Sequence, residues 1–344
     1  MGSSITPVSE PDAHRLNTLV RAFRGRRLAV VGDLIADEFI YGRVERVSRE
    51  APVLILRYDQ TVMLPGGAGN AAANAAALGA AVDLVALAGR DEAGRRLLAS
   101  LPQRVSRRGI RRPAGTQTPV KTRILAGGIH SAKQQVVRID RLAAHTPSPA
   151  VRASFGRAAR AAVSDADAII VSDYGSGLIT ADLVAGVRRS AGRQVPIVVD
   201  SRHHTLQFEG LTACTPNEAE VEQMLGIEID DDPAVLERAG RVLLRRTGME
   251  AVLITRGSRG MALFEPGRPT RHIAIVGTDE IADVTGAGDT VIAALTLGLA
   301  AGGSAYEAAR LANYAGGVVV MKRGTATLSA SELRAAIRRD MGDA

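Results

Sequence analysis

Short apolar runs ended by glycine alternate with Ala-rich amphipathic stretches along most of this 344-residue chain. Leu28–Val31 runs into Gly32 and Asp33 and reads as the first buried strand. Asn70–Leu78, closed by Gly79, then Val82–Ala88 and Asp91–Leu101 follow a helix, strand, helix rhythm. From residue 150 onward that rhythm is sustained. A helix to Val163 is followed by a strand at Ala168–Val171, a helix near 181–191 and a strand at Pro196–Val199. A helix near Glu218–Leu225, a strand at Ala251–Thr255 and two Ala-rich helices, after Gly288 and after Ser304, continue it. Ser329 and Glu332 make a capping box for a last helix. Strands that alternate with helices build a parallel sheet covered on both faces. Val53–Arg57, Val120–Leu125 and Gln135–Ile139 have another texture: β-rich runs separated by glycine-containing turns, without helices between them. The expected fold is therefore α/β, a doubly wound, mostly parallel sheet with helices on both faces and a small β-sheet lid. The lid insertions fall at about 40–60 and 115–140 of a single domain spanning 27–340. Residues 1–26, with Pro7 and Pro11, read as a polar leader.

Composition narrows the class. Hydrophobic residues make up 46% and aromatic residues only 3%, with no Trp, so the core is built from Ala, Val, Leu and Ile, as buried parallel strands and their helices usually are. The net charge of +7 comes almost entirely from scattered arginines. The densest cluster, Arg107, Arg108, Arg111 and Arg112, lacks nearby aromatics to stack on bases and reads as solvated surface, which argues against nucleic acid and leaves small anions as partners. The single Cys214 excludes an internal disulfide and reads as a small buried hydrophobe. With no signal core and no membrane-length apolar run, a cytoplasmic protein is expected.

Three constellations carry candidate chemistry. In Asp283-Val-Thr-Gly-Ala-Gly-Asp289-Thr a glycine turn runs into an apolar helix, so backbone N–H groups and the helix N-terminus can hold an anion without a lysine. Asp289 at that turn is either a reacting carboxylate or a partner of the helix dipole. Pro65-Gly66-Gly67-Ala68-Gly69-Asn70 is a second glycine cluster entering a helix, either a place of close ligand approach or a tight loop capped by Asn70. Thr215-Pro216-Asn217-Glu218-Ala219-Glu220 puts Asn217 and Glu220 on a first helical turn, which capping alone explains. His203 and His204 are adjacent and read as surface residues, not a metal pair.

In this order and spacing the three constellations resemble the ribokinase-like (PfkB) carbohydrate kinases from about Arg27 to about Ile337. Through Val30-Val-Gly-Asp-Leu-Ile-Ala-Asp37, Tyr41-Gly-Arg-Val-Glu-Arg-Val-Ser-Arg-Glu-Ala-Pro-Val53, Gln134-Gln-Val-Val-Arg-Ile-Asp140 and the Asp289 segment, the chain is most similar to bacterial D-glycero-β-D-manno-heptose 7-phosphate kinases. The resemblance implies that Asp289 takes a proton from the sugar hydroxyl while Gly286, Ala287 and Gly288 bind the transferred phosphoryl group. It implies that Asn217 and Glu220 organise Mg²⁺ with ATP through water, and that Thr255, Arg256, Gly257, Gly260 and Asn313 receive the nucleotide. Asp37, Gly67 and Asn70 match sugar-binding positions, and Asp173 is expected to face the sugar as well. Lys121 and Arg138 are candidates for a phosphate already on the substrate, or are solvated strand charges. A monovalent cation beside the anion loop and a homodimer through the β-lid belong to the same set of expectations.

Two departures stand out. Related kinases usually carry a lysine where this chain has Ser176, and Pro-Lys where it has Ser201-Arg202; Arg keeps the charge but not the compact ammonium. A kinase of another sugar therefore stays open, as does a catalytically silent sugar or nucleotide sensor that keeps the fold. A dinucleotide oxidoreductase is disfavoured because no G-x-G-x-x-G follows the first strand. The chain ends before the fused nucleotidyltransferase domain some relatives carry, so that step is expected of another protein.

Overall fold

The computed structural model describes residues 11–127, 133–142, 146–230, 232–276, 283–322 and 324–342. In chain order the elements are α1 (Ala13–Arg21), β1 (Arg27–Gly32), β2 (Leu34–Val47), β3 (Leu54–Gly67), α2 (Ala68–Ala77), β4 (Ala81–Val85), α3 (Glu92–Ser100), β5 (Val105–Ser106), β6 (Val120–Gly127) and β7 (Gln134–Arg141). They continue with α4 (Pro149–Val163), β8 (Ala168–Asp173), α5 (Ala181–Ser190), β9 (Ile197–Ser201), β10 (Ala213–Cys214), α6 (Glu218–Leu225) and α7 (Pro233–Thr247). The last are β11 (Ala251–Thr255), β12 (Met261–Phe264), β13 (Arg271–Ile273), α8 (Ala287–Ala300), α9 (Ala305–Val319) and α10 (Ala330–Met341).

The main sheet runs β13-β12-β11-β10-β9-β8-β1-β4-β5. All neighbours from β11 to β5 pair in parallel, and the β11–β12 and β12–β13 pairs are antiparallel. Side chains alternate across a strand, so Leu28 and Val30 enter one core and Ala29 and Val31 the other. The first core lies under α1, α2, α8, α9 and α10, the second under α4, α5 and α7. Both faces are covered, as the unbroken apolar strands require, and the doubly wound expectation agrees with this arrangement. Cys214 is buried on β10 as a core side chain, its thiol pushed up by burial. No helix among the described residues is long and apolar enough to cross a membrane.

The second sheet runs β3-β2-β6-β7. It starts earlier than the expected insertion at about 40, because β2 leaves β1 after a single residue and β3 continues to Gly67. β3 thus delivers the chain directly into α2. Residues 128–132 of the second lid insertion lie outside the described residues.

Sequence reading also missed α7 and the antiparallel β12–β13 edge. It was mistaken about much of the leader: residues 1–10 lie outside the described residues, but residues 13–21 form α1, not an unpacked extension. Asp12 caps this helix by accepting from the Arg15 amide, and Leu16, Leu19, Val20 and Phe23 are buried. Their spacing of three and four is a helical stripe facing the core, and Arg15 ties the helix to Glu307 at 2.6 Å. If α1 belongs to the core, Leu16→Ala lowers unfolding free energy by about 2–5 kcal/mol in urea titration; a change near zero returns this segment to the status of a leader.

Candidate active site

The carboxyl ends of β1, β8 and β9 meet the N-termini of α2 and α8 at one edge of the parallel sheet, the edge where open α/β sheets bind ligands. α8 begins at Gly286, in the left-handed region at φ 79°. A Cβ there would overlap Asn70 Nδ2, so the position requires glycine for both conformation and space. Asp283 fastens the turn from below, accepting from the Thr285 amide at 2.9 Å and the Gly324 amide at 2.9 Å. The Ala287 amide is used locally on Val284 O, whereas among the described residues the amides of Gly286, Gly288 and Asp289 meet no acceptor. Those open N–H groups at the positive end of a helix dipole form an anion-binding concavity.

Asp289 sits just inside that turn and is buried. Its Oδ2 accepts from Asn70 Nδ2 at 2.8 Å and its Oδ1 from the Tyr174 hydroxyl at 3.0 Å. Asn70 also reaches Gly286 O at 3.2 Å and is itself held by Asn74 Nδ2 at 3.0 Å. Burial pushes the Asp289 carboxyl up to about 7; the Asn70 and Tyr174 hydrogen bonds and the Arg202 charge pull it down, and Asp37 adds to the rise. The result is a carboxylate poised to exchange a proton near neutrality.

Tyr174 follows β8 on a turn capped by two carboxylates. Asp33 accepts from the Tyr174 amide at 2.8 Å and from the Ser176 hydroxyl; Asp173 accepts from the Gly175 amide at 3.0 Å. Asp173, expected to face the sugar, does not. It is buried, with its second oxygen engaged by Ser201 Oγ at 2.6 Å and His204 Nδ1 at 3.0 Å, and so spends its acceptors on the turn. Ser176 likewise turns inward onto Asp33. His204 serves this network, and among the described residues no group of three or more His, Cys, Asp or Glu side chains could hold a metal.

On the lid side, Asp37 Oδ1 accepts from Arg123 Nη1 at 2.5 Å, and its other oxygen lies over Gly66, where a Cβ would overlap it. Gly67 packs under the Tyr174 ring. Lys121 is buried with its Nζ 5.2 Å from the centroid of that ring. Arg138, by contrast, stands on β7, exposed at every position, and pairs with Asp140 at 2.9 Å.

Asn217 and Glu220 form a reciprocal capping box on α6, each accepting from the other's amide at 2.9 Å. Glu220 nevertheless also faces Asp200 at the end of β9, a residue the sequence reading did not single out. Burial and then the neighbouring Glu220 charge hold the Asp200 carboxyl well above its usual range, and burial raises Glu220 too. Arg202 offsets both carboxylates in part, and a pair of raised carboxylates fits a hard divalent cation whose remaining ligands are water and phosphate. Thr255 pairs with Asn217 in an isolated bridge, Gly257 and Gly260 take positive φ in the turn into β12, and Arg256 is held by Glu218 at 2.7 Å. Asn313 donates to Ala274 O at 2.7 Å, fastening α9 to the end of β13.

A family model described as pfkB family carbohydrate kinase matches residues 26–332. The chain belongs to this family. It is a carbohydrate kinase, a phosphotransferase acting on a sugar hydroxyl. Among curated relatives, the bifunctional protein HldE of Caulobacter vibrioides is 38% identical over 94% of this chain and 66% of its own length. That of Desulfatibacillum aliphaticivorans is 40% identical over 93% and 64%. The chain thus spans about two thirds of these relatives. The fold is shared with Arabidopsis thaliana ribokinase complexed with ribose and ATP, at TM-score 0.70 and 20% identity over 93% of this chain and 100% of that one. Phosphofructokinase-2 from Escherichia coli gives TM-score 0.74 at 17% identity over 92% and 99%.

The raised Asp289 carboxyl sets a sign for stability. Its folded-state affinity for protons exceeds the unfolded one, so its contribution is complete below about pH 4 and is lost as pH rises through about 7. Asp289→Asn removes that loss. The variant melts higher than the parent at pH 8, by up to about 4 kcal/mol in unfolding free energy, and the gap closes toward pH 5. A gap independent of pH would place the Asp289 charge in contact with solvent.

Proposed function

We propose that the chain transfers the γ-phosphoryl group of ATP to the anomeric hydroxyl of D-glycero-β-D-manno-heptose 7-phosphate, giving the 1,7-bisphosphate and ADP. The observation that carries the transfer chemistry is Asp289: a buried carboxylate with a pKa of about 7, beside the open amides of Gly286 and Gly288 at the start of α8. In this reading Asp289 accepts the hydroxyl proton as the oxygen attacks the γ-phosphorus and the bond to the β,γ-bridging oxygen breaks. The Gly286–Gly288 turn holds the charge on the transferred group. Asn70 and Tyr174 fix the Asp289 carboxylate in one orientation, each from a different segment of the chain.

Asp200 and Glu220 would hold Mg²⁺ through water, with Asn217 supporting Glu220 by capping; the ion would neutralise the nucleotide phosphates. Thr255, Gly257 and Gly260 offer a glycine-containing rim for the nucleotide, and Asn313 supports it by fastening α9 to the end of β13; Arg256 acts by holding α6 through Glu218. Asp37, Gly67, Asn70 and Lys121 surround the acceptor. A monovalent cation beneath the anion turn would stiffen it.

The heptose assignment rests on the motif resemblance and on the HldE relatives, which support a heptose-related kinase. A homodimer through the lid is supported by the exposed apolar side chains of its strands, Val44, Leu54, Tyr58, Val136 and Ile139.

ADP release from Mg-ATP is the direct test, with heptose 7-phosphate beside fructose 6-phosphate, fructose 1-phosphate, ribose and no sugar. The heptose phosphate is expected to dominate; preference for another acceptor overturns the substrate and keeps the kinase. Asp289→Asn lowers kcat at least about a hundredfold with little change in ATP affinity, and an unchanged rate removes the base assignment. The rate of the parent rises with pH to a plateau, with an inflection near 7. Tyr174→Phe loses a hydrogen bond that favours the charged carboxylate, so the inflection moves to higher pH.

A further inference from the structure

The first and last helices meet over a small cavity of about 190 Å³, lined chiefly by His14, Asn17 and Arg21 from α1 and by Arg334 and Arg338 from α10. We propose that this cavity binds a small phosphate dianion, free or as a phosphomonoester, clamped between the two helices. None of its residues belongs to the elements that carry the Asp289 turn, so the site is separate from the active site and does not depend on the kinase reading.

Charge is the first observation. Residues 14, 17 and 21, and residues 334 and 338, recur at spacings of three and four, so each set shares one face of its helix. Three guanidiniums thus converge from two helices, and among the described residues no carboxylate lines the cavity. The acids of α1 and α10 are engaged elsewhere: Asp12 accepts from the Arg15 amide, Glu332 pairs with Lys322 at 2.5 Å, and Asp340 accepts from the Tyr314 hydroxyl at 2.5 Å. Among the described residues the Arg21 and Arg334 guanidiniums form no ion pair. Cations in a last helical turn offset the helix dipole, which accounts for Arg21 and Arg338. It does not account for Arg334 in the middle of α10.

Unused polarity is the second. Arg334 Nε is buried and meets no hydrogen-bond partner. Asn17 is only 7% exposed; its Nδ2 donates to Ala13 O at 2.8 Å, which orients the amide and leaves Oδ1 buried without a donor. Buried polar atoms are normally paired, so the residues around this cavity hold a donor and an acceptor that the fold itself does not use. Guanidinium forks match the oxygens of a phosphate, and several of them together favour a dianion over a single carboxylate. The volume lies below the roughly 300 Å³ at which pockets for drug-sized ligands begin, which suits a phosphate with a few attached atoms and not a nucleotide. Leu16 and Leu19 of α1 and Leu333 and Ile337 of α10 share one apolar core. A bound dianion would add a polar clamp to that packing and tie the two ends of the chain together.

The test is isothermal titration with inorganic phosphate, and separately with glycerol 3-phosphate, at constant ionic strength, on the parent and on Arg334→Met and Arg21→Met. The parent is expected to show a binding step that weakens at least about tenfold in each variant, the loss of one charge-assisted hydrogen bond. Whichever anion binds tighter names the source. Hydrogen exchange supplies the location: phosphate slows exchange of the α1 and α10 amides in the parent and not in Arg334→Met, a change that an anion held at the active site does not produce. Arg21 is exposed, so its variant carries the test if Arg334→Met does not melt cooperatively. Equal affinity in the parent and both variants, or unchanged exchange in the parent, overturns the site and leaves a water-filled cavity between solvated arginines. Exchange slowed equally in the parent and the variants overturns it as well, being the general effect of an excluded salt.

Discussion

Burying the Asp289 carboxylate at the first turn of α8 takes it out of water, a transfer offset only in part by hydrogen bonds from Asn70 and Tyr174. The imbalance shows in a pKa raised to about 7. Three separate segments must therefore arrive together: the start of α2 with Asn70, the turn after β8 with Tyr174, and the turn before α8. The local sequence follows from this demand. Gly286 is glycine because a Cβ would displace Asn70, and Gly67 because the chain must pass between Asp33 O and the Tyr174 ring. The buried Ala71, Ala72, Ala75 and Ala76 present only small side chains, which lets α2 approach its neighbours closely.

The charges around the carboxylate are unevenly placed. Asp33, Asp200, Glu220 and Asp289 all have raised pKa values with burial as the leading cause. On the lid side Asp37 and Asp140 are paired with Arg123 and Arg138, and Lys121 is left without an ion-pair partner among the described residues. Arg202, just after β9, offsets the carboxylates of Asp200, Glu220 and Asp289, yet all three stay above their usual values. A metal-bound nucleotide would bring this end the further positive charge that a phosphoryl-transfer site uses.

Much of the framework was legible in the chain. The runs at Leu28–Val31, Ala168–Val171 and Ala251–Thr255 are apolar on both faces, which only a covered parallel strand tolerates, and the glycine turns before α2 and α8 are local signals. α1 was misread although Leu16, Leu19, Val20 and Phe23 carry a helical stripe, because Pro7, Pro11 and the polar residues around them mask it in a composition-based view. The β12–β13 edge was missed because antiparallel pairing breaks the alternation that predicts the rest. In the site, the Asp289 turn is contiguous and could be read. Asp200, Tyr174 and Arg202 could not be ranked, because each gains its meaning from a side chain far away in sequence. Asp173 looked like a ligand for the same reason reversed: its partners Ser201 and His204 are 28 and 31 residues on.

That pattern has a physical origin. Secondary structure is fixed by periodicity over a few residues, whereas an active site is fixed by which unsatisfied groups the fold brings within reach of one another. Asn217 and Glu220 illustrate the difference. Their capping box fully accounts for the residues in local terms, with both reciprocal hydrogen bonds formed. Yet the same box brings the Glu220 carboxylate near Asp200, whose proton affinity it raises. Like charges held near one another cost stability, and here Arg202 offsets them only in part. A bound group that carries positive charge would offset the rest, so the local and the functional explanations of this motif are successive levels of one arrangement.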